Sequence, residues 1–168
     1  MTDNEKSKDK RLEEKEKLEA EITRSLSVAK MKETHKQIED IEKSRKKTTV
    51  QSIIDRITLN MATNIAIVNG LDAVIKTSKE KHKDREKEVE AILSQELDDE
   101  NLKPYFTAPI ENYESIRLDI QRNCEIKDFD KLFPRLQNKS KSPNAITSFL
   151  PILNFQLADM QLYLKRML

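Results

Sequence analysis

The apolar positions between Val50 and Ile92 follow a seven-residue grid, which is the sharpest pattern in the chain. Two neighbouring rows of this grid carry Ile54, Met61, Val68, Ile75, His82 and Val89, and Val50, Ile57, Asn64, Leu71, Ser78, Arg85 and Ile92. Such rows are typical of a coiled-coil or helical-bundle seam. The stripe is widened by Ile53, Leu59, Ile65 and Ile67. A stripe of this width favours a bundle of three or four helices over a lone pair.

Two features interrupt the grid. Asn64 stands in an otherwise apolar row, where a polar residue can fix register and oligomeric state. The alternative, which we favour, is that the stripe rotates slightly and Ile65 takes the buried place. From Lys76 to Glu88 no residue is hydrophobic, so we expect this stretch to be helical only because its neighbours are.

A second apolar pattern occupies the end of the sequence. Ser142 followed by Pro143 predicts a helix start, because Ser caps N-termini and Pro suits the first turn. One face then carries Ile146, Leu150, Leu153, Leu157, Met160 and Leu164, whereas Ile152, Phe155 and Leu162 lie off that face. Pro151 is expected to kink or divide the helix. So much apolar surface predicts that something covers it.

The pattern and its breakers divide the chain into three parts. Residues 1–11 contain only Met1 as an apolar residue, and we predict a disordered polar tail there. Residues 12–100 contain one glycine and no proline, which predicts a long helical or imperfect coiled-coil region with a candidate hinge near 43–49. Residues 101–168 are predicted to form short helices that end in the apolar helix. The expected fold class is all-α, completed as a bundle with partner helices.

Composition supports a dependence on partners. Hydrophobic residues make up 36% of the chain, charged residues also 36% and aromatic residues 5%. Such a chain has little material for a large core and resembles long-helix proteins in composition. A net charge of +1 argues against a surface that binds polyanions generally.

The chemistry-bearing residues are sparse. Cys124 is the single cysteine, so neither an internal disulfide nor a thiolate cluster can form. With one glycine there is no phosphate-binding loop or nucleophile elbow, and His35 and His82 stand alone among charged residues. We therefore expect no enzyme activity, metal, cofactor or small-molecule substrate. The polar N-terminus and the lack of an apolar run of about 18 residues predict an intracellular protein, cytoplasmic or nuclear.

The function predicted from these observations is that of a non-enzymatic scaffold or interaction subunit of an intracellular multiprotein complex. Its partners would be other helical subunits, in a homo- or a hetero-oligomer. The expected partner-binding residues lie on the two apolar faces: Val50, Ile54, Ile57, Met61, Val68, Leu71, Ile75, Ile146, Leu150, Leu153, Leu157, Met160 and Leu164. The alternative is an adaptor that contacts a charged filament such as a microtubule, a membrane surface or nucleic acid through basic helical segments, with Lys43, Arg45, Lys46 and Lys47 as the basic cluster.

Overall fold

Helices make up nearly all of the part of the chain that the structure describes, and no strand occurs in that part. The computed structural model describes residues 2–27, 36–40, 50–96, 100, 102–136 and 140–168. Its helices are α1 (Asp3–Ser27), α2 (Val50–Lys81), α3 (Glu86–Leu93), α4 (Lys103–Asn123), α5 (Phe129–Leu132) and α6 (Pro143–Lys165). Residues 36–40 are also helical. The all-α expectation is confirmed for the described residues, while the candidate hinge at 43–49 lies outside them.

Helix α2 forms the centre of the packing. Its most extensive contact is with α6, and it also packs against α4 and α1. These helices share one hydrophobic core, to which α1 contributes Leu18, Ile22 and Leu26. Because burying one such side chain fully stabilises a fold by about 1.5–3 kcal/mol, this core is enough to hold α1 against the rest of the chain.

Helix α1 begins within the segment for which a disordered tail was expected. The Glu5 N–H donates to Thr2 Oγ1 at 3.4 Å, and the Thr2 N–H donates to Glu5 Oε2 at 3.2 Å. This reciprocal pair is a capping box, which satisfies backbone donors at a helix start. Residues 3–11 are therefore helical, although all of them are exposed. The disordered tail expected for residues 1–11 stays a prediction; Met1 lies outside the described residues.

Helix α2 ends within the charged stretch that follows Ile75, at Lys81. His82 has non-helical backbone angles (φ −121°, ψ 48°), and a 3-10 turn at Lys83–Arg85 leads into α3. The charged stretch from Lys76 to Glu88 was expected to be helical because its neighbours are, but the α-helix is interrupted within it. The chain turns there, and α3 buries Val89, Ile92 and Leu93.

The start of α6 is the one that the sequence predicts. Ser142 Oγ accepts a hydrogen bond from the Ala145 N–H at 3.1 Å, and Pro143 opens the first turn. The helix continues through Pro151 without division. Because Pro151 is exposed, the carbonyl that loses its helical partner lies on the side toward water.

Candidate protein-binding surface

The residues expected to bind a partner are covered by the chain itself. All six on α6 are buried, from Ile146 to Leu164. On α2, Ile54, Ile57 and Leu71 are buried, and the other four are half-buried and pack against the same core: Val50, Met61, Val68 and Ile75. The apolar faces of α2 and α6 were each expected to receive another subunit, but each covers the other. An interaction surface must therefore be sought elsewhere.

Polar side chains between the two helices fix how α6 lies on α2. Asn64 Nδ2 donates to Asn154 Oδ1 at 2.9 Å, and Asn154 Nδ2 donates to the Met61 carbonyl at 3.2 Å. Nearer the C-terminus of α6, Gln161 Nε2 donates to the Ile54 carbonyl at 3.2 Å. A higher number on α6 thus meets a lower number on α2, so the two helices are antiparallel.

Asn64 corrects an expectation. It is 1% exposed, whereas Ile65, expected to take the buried place, is 54% exposed. The stripe does not rotate: Asn154 accepts from Asn64 Nδ2, while Asn64 Oδ1 has no partner among the described residues, so the buried amide is half satisfied. The polar residue occupies the core position and the apolar one faces water.

An apolar surface follows from this arrangement. Each step of one residue turns the side-chain direction by about 100° around the helix axis. Viewed along that axis, two antiparallel helices turn in opposite senses. The residues that follow two facing contact residues therefore point to the same side of the helix pair. Ile65 and Phe155, each one residue past the Asn64 and Asn154 pair, therefore reach the solvent side together. Ile152, Phe155 and Leu162 are 66%, 76% and 57% exposed. We call Ile65, Ile152, Phe155 and Leu162 the outer patch.

Contacts on the opposite flank keep α6 in place. Gln156 Nε2 donates to the Leu132 carbonyl at 3.1 Å, and the Tyr163 ring meets the Phe133 ring edge-on at 5.7 Å. Phe133 is in turn held by Arg117, whose Nε donates to the Phe133 carbonyl at 2.7 Å. The outer patch is thus presented by a helix that is anchored on both sides.

A buried ion pair joins α2 to α4. Arg56 is fully buried; its Nη1 lies 2.5 Å from Asp119 Oδ2, and its Nη2 donates to Ser115 Oγ at 3.2 Å. Its Nε has no partner among the described residues. This role of Arg56 could not be recognised from the sequence, because its acceptors lie on α4, far along the chain.

The other titratable groups act within the fold. Lys81 donates a hydrogen bond to Glu21 and thereby lowers the pKa of that carboxyl, and His82 lies 3.4 Å from the same group. Burial raises the pKa of the Cys124 thiol and raises the pKa of Tyr113 to about 12. His35 and the basic cluster at 43–47 lie outside the described residues. None of these arrangements places a nucleophile beside a base.

A cavity of about 350 Å³ lies beside α4 and includes Tyr113, Arg117 and Arg135 in its lining. Its volume reaches the range of small-molecule sites. However, the Tyr113 hydroxyl donates to the Pro134 carbonyl at 2.6 Å, and Arg117 bonds Phe133 and Asp130. These two groups are engaged by the protein, which leaves the outer patch as the better candidate for function.

Within the described ranges, no group of His, Cys, Asp and Glu side chains is arranged to hold a metal ion. The same part of the chain contains no helix with the length and apolar character needed to cross a membrane. Comparison with known proteins finds no family model, no curated sequence and no solved structure that matches this chain.

Proposed function

We propose that this chain is a non-enzymatic interaction subunit of a multiprotein complex, and that it binds its partner through the outer patch. The observation that carries the proposal is the exposure of Ile152, Phe155 and Leu162 on the solvent side of α6. Scattered exposed apolar residues are normal, but a contiguous patch on a folded surface is a mark of an interaction site. The coiled-coil or bundle character expected from the sequence is part of this proposal, because a partner helix would pack beside α2 and α6.

The shape of the patch favours a helical partner. Ile152, Phe155 and Leu162 stand along one ridge of α6, and Ile65 stands on α2 across the line between the two helices. Two packed antiparallel helices with apolar residues on both form a shallow groove, into which an amphipathic helix can lay its apolar face. An intracellular location, cytoplasmic or nuclear, is part of this proposal and fits the single buried thiol of Cys124.

The exposed apolar side chains supply part of the binding energy that a partner contact needs. Covering the exposed fractions of the three α6 side chains would contribute roughly 3–6 kcal/mol, and association costs about 4–15 kcal/mol, so the partner must also make contacts beyond these three residues. Aromatic residues at the centre of an interface carry more than an average share of binding energy. Phe155, with 76% of its surface exposed, is therefore the expected anchor.

The test compares two leucines that differ in position but not in exposure. Leu162 is 57% exposed in the outer patch, and Leu12 is 56% exposed on α1. Tagged full-length chains that carry Leu162→Asp or Leu12→Asp are purified from their native cells, and the co-purifying proteins are quantified. We expect Leu162→Asp to lose a stoichiometric partner, Leu12→Asp to retain it, and both to melt within about 2 °C of the wild type.

A photo-crosslinking residue placed at position 155 then shows whether the lost protein contacts the patch directly. A crosslink from position 155 to that protein, absent when the same probe replaces Leu12, supports the proposal. Equal partner recovery by the two aspartate variants would contradict it.

A further inference from the structure

Two exposed rows of residues run along the side of the fold that carries the outer patch. Both rows advance in steps of three and four residues, which is the spacing of a seam that packs along another helix. The row on α6 ends at the C-cap residue and consists of Ser148, Ile152, Phe155, Asp159, Leu162 and Arg166. The row on α2 includes Asp55, Thr58, Ala62, Ile65, Asn69 and Asp72. We call them the outer row of α6 and the outer row of α2.

The two outer rows differ in the size of their side chains. The outer row of α6 has bulky apolar residues at its centre, Ile152 and Phe155. The outer row of α2 has the small residues Thr58 and Ala62 beside the larger Ile65. Helices pack when the projecting side chains of one fit between those of the other. The outer row of α6 therefore matches the outer row of α2 better than it matches a copy of itself.

A hydrogen bond inside the chain shows which residues of α2 and α6 lie at the same height. Asn64 lies level with Asn154, to which it is bonded. Counting in opposite directions from this pair places Phe155 level with Ala62, to within one turn. A two-fold axis parallel to the helices keeps every residue at its own height, so residues that are level within the chain face each other between two copies. The register of such a dimer is therefore fixed by the fold.

We propose that the occupant of the outer patch is a second copy of this chain, docked about a two-fold axis parallel to α2 and α6. The inference rests on the proposed function and names the partner. In this dimer, Phe155 lies over Ala62 of the second copy, between Ile65 and Thr58 of that copy. The axis repeats the contact, so the apolar residues of both copies are covered at once. A second copy thus supplies the contacts beyond one set of three side chains that association requires.

The charges near the centre of the interface are compatible with this arrangement. Asp159 comes level with the uncharged Thr58 of the second copy. Arg166 comes to within about one or two turns of Asp55 of the second copy, which has the opposite charge. If the outer row of α6 instead lay parallel on its own copy, Asp159 would face Asp159, and like charges at an interface are unfavourable.

The other end of the interface carries charges of both signs. Asp72 of one copy, and Lys76 one turn beyond it, reach the start of α6 in the other copy. Lys141 lies there, and its backbone N–H donates to Glu96 Oε1 at 3.3 Å. Because each side presents an acid and a base, this end does not oppose the dimer.

The area of the face also suits a dimer. Helix α6 has 23 residues, which corresponds to a length of about 35 Å, and two packed helices side by side are about 20 Å wide. The face of α2 and α6 therefore covers about 700 Å² in each copy, or about 1,400 Å² in total. This area lies in the range of specific and stable interfaces.

Sedimentation velocity of the full chain, at about 1 to 100 μM, tests for self-association. We expect a species of twice the chain mass. Ala62→Glu places a larger, charged side chain where Phe155 of the second copy lies, and it should weaken the dimer by about tenfold or more. The matched control, Ala91→Glu, puts the same side chain at an exposed alanine of α3 and should leave the dimer unchanged. Circular dichroism confirms that both variants retain the wild-type helix content.

Cysteines introduced into separate chains test the register. Asn69 and Ser148 are exposed and come level between the two copies. Chains with Cys124→Ala and Asn69→Cys are mixed with chains that carry Cys124→Ala and Ser148→Cys, and the mixture is oxidised with diamide. We expect a disulfide between the two kinds of chain, because facing positions of packed helices bring the sulfur atoms within reach. Leu12→Cys in place of Asn69→Cys is the control and should give less than about a tenth of that product.

The possible outcomes distinguish the inference from the function on which it rests. A chain that stays monomeric at about 100 μM, while Leu162→Asp still loses a partner of different sequence from native cells, overturns the second copy and leaves the proposed function. A dimer that responds equally to Ala62→Glu and Ala91→Glu, or that forms no disulfide between positions 69 and 148, overturns the proposed docking. A dimer and a partner recovery that are both indifferent to Leu162→Asp overturn the inference and the proposed function together.

Discussion

The ion pair between Arg56 and Asp119 makes an asymmetric prediction about stability. The Arg56 side chain is 1% exposed and that of Asp119 is 16% exposed. Asp119→Ala leaves a buried guanidinium whose remaining partner among the described residues is the Ser115 hydroxyl. Leaving one member of a buried pair alone costs about 3–5 kcal/mol. Arg56→Met removes the buried charge together with the unpaired Nε, and the remaining carboxylate reaches water. We expect this second change to cost about 1–2 kcal/mol.

Urea denaturation followed by far-UV circular dichroism measures both changes and the double variant. In the double variant, Asp119→Ala should add less than about 1 kcal/mol to the effect of Arg56→Met, which corresponds to a coupling energy of about 2 kcal/mol or more. The control is Glu88→Ala, since Glu88 also pairs with an arginine, Arg85, but the two side chains are 51% and 25% exposed and both reach water; its cost should be below about 1 kcal/mol. If Asp119→Ala proves no more costly than Glu88→Ala, the pair is not the buried contact described above.

Three further predictions follow from individual contacts. Asn64→Leu should destabilise the fold by about 1–3 kcal/mol, measured by urea denaturation, because it leaves the half-buried Asn154 amide without its partner. Ile65→Asn should change the free energy of unfolding by less than about 0.5 kcal/mol. Equal effects of the two substitutions would contradict the assignment of Asn64 to the core. Ser142→Ala should cost about 1 kcal/mol through loss of the α6 cap, and Ser142→Asp should restore most of it. The pKa of Tyr113 is raised from 10.0 to about 12 in the fold. Its neutral form therefore contributes stability that is complete below pH 10 and is lost as the pH rises toward 12. In alkaline denaturation curves, Tyr113→Phe should remove that part of the pH dependence.

Helix content was predictable from the sequence, because it follows from local rules. The absence of proline before Pro104 allows long helices, and the three- and four-residue steps from Ile146 to Leu164 identify the face of α6 that becomes buried. The capping box at Thr2 and Glu5 is also readable from the sequence as a short motif.

The contacts that decide which residues are available to a partner were not predictable in this way. An apolar row shows that a helix must be covered but not which helix covers it, so two faces that cover each other were taken as two binding faces. Asn64 meets Asn154 and Arg56 meets Asp119 across 90 and 63 positions of sequence, respectively. A single sequence carries no local sign of such pairings, and for that reason Ile65 was placed inside.

The exposure of the first turns of α1 has a consequence for how that helix responds to its surroundings. Residues 3–17 bury no side chain, and attachment begins at Leu18. This segment is about 22 Å long at the α-helical rise, and an isolated helix of that length is marginal in water. Amide hydrogen exchange should therefore be graded along α1, fast before residue 18 and slow around Ile22 and Leu26, and uniform protection along the helix would contradict this. The first half of α1 is an arm whose order depends on temperature and salt, while its second half is as stable as the core to which it is attached.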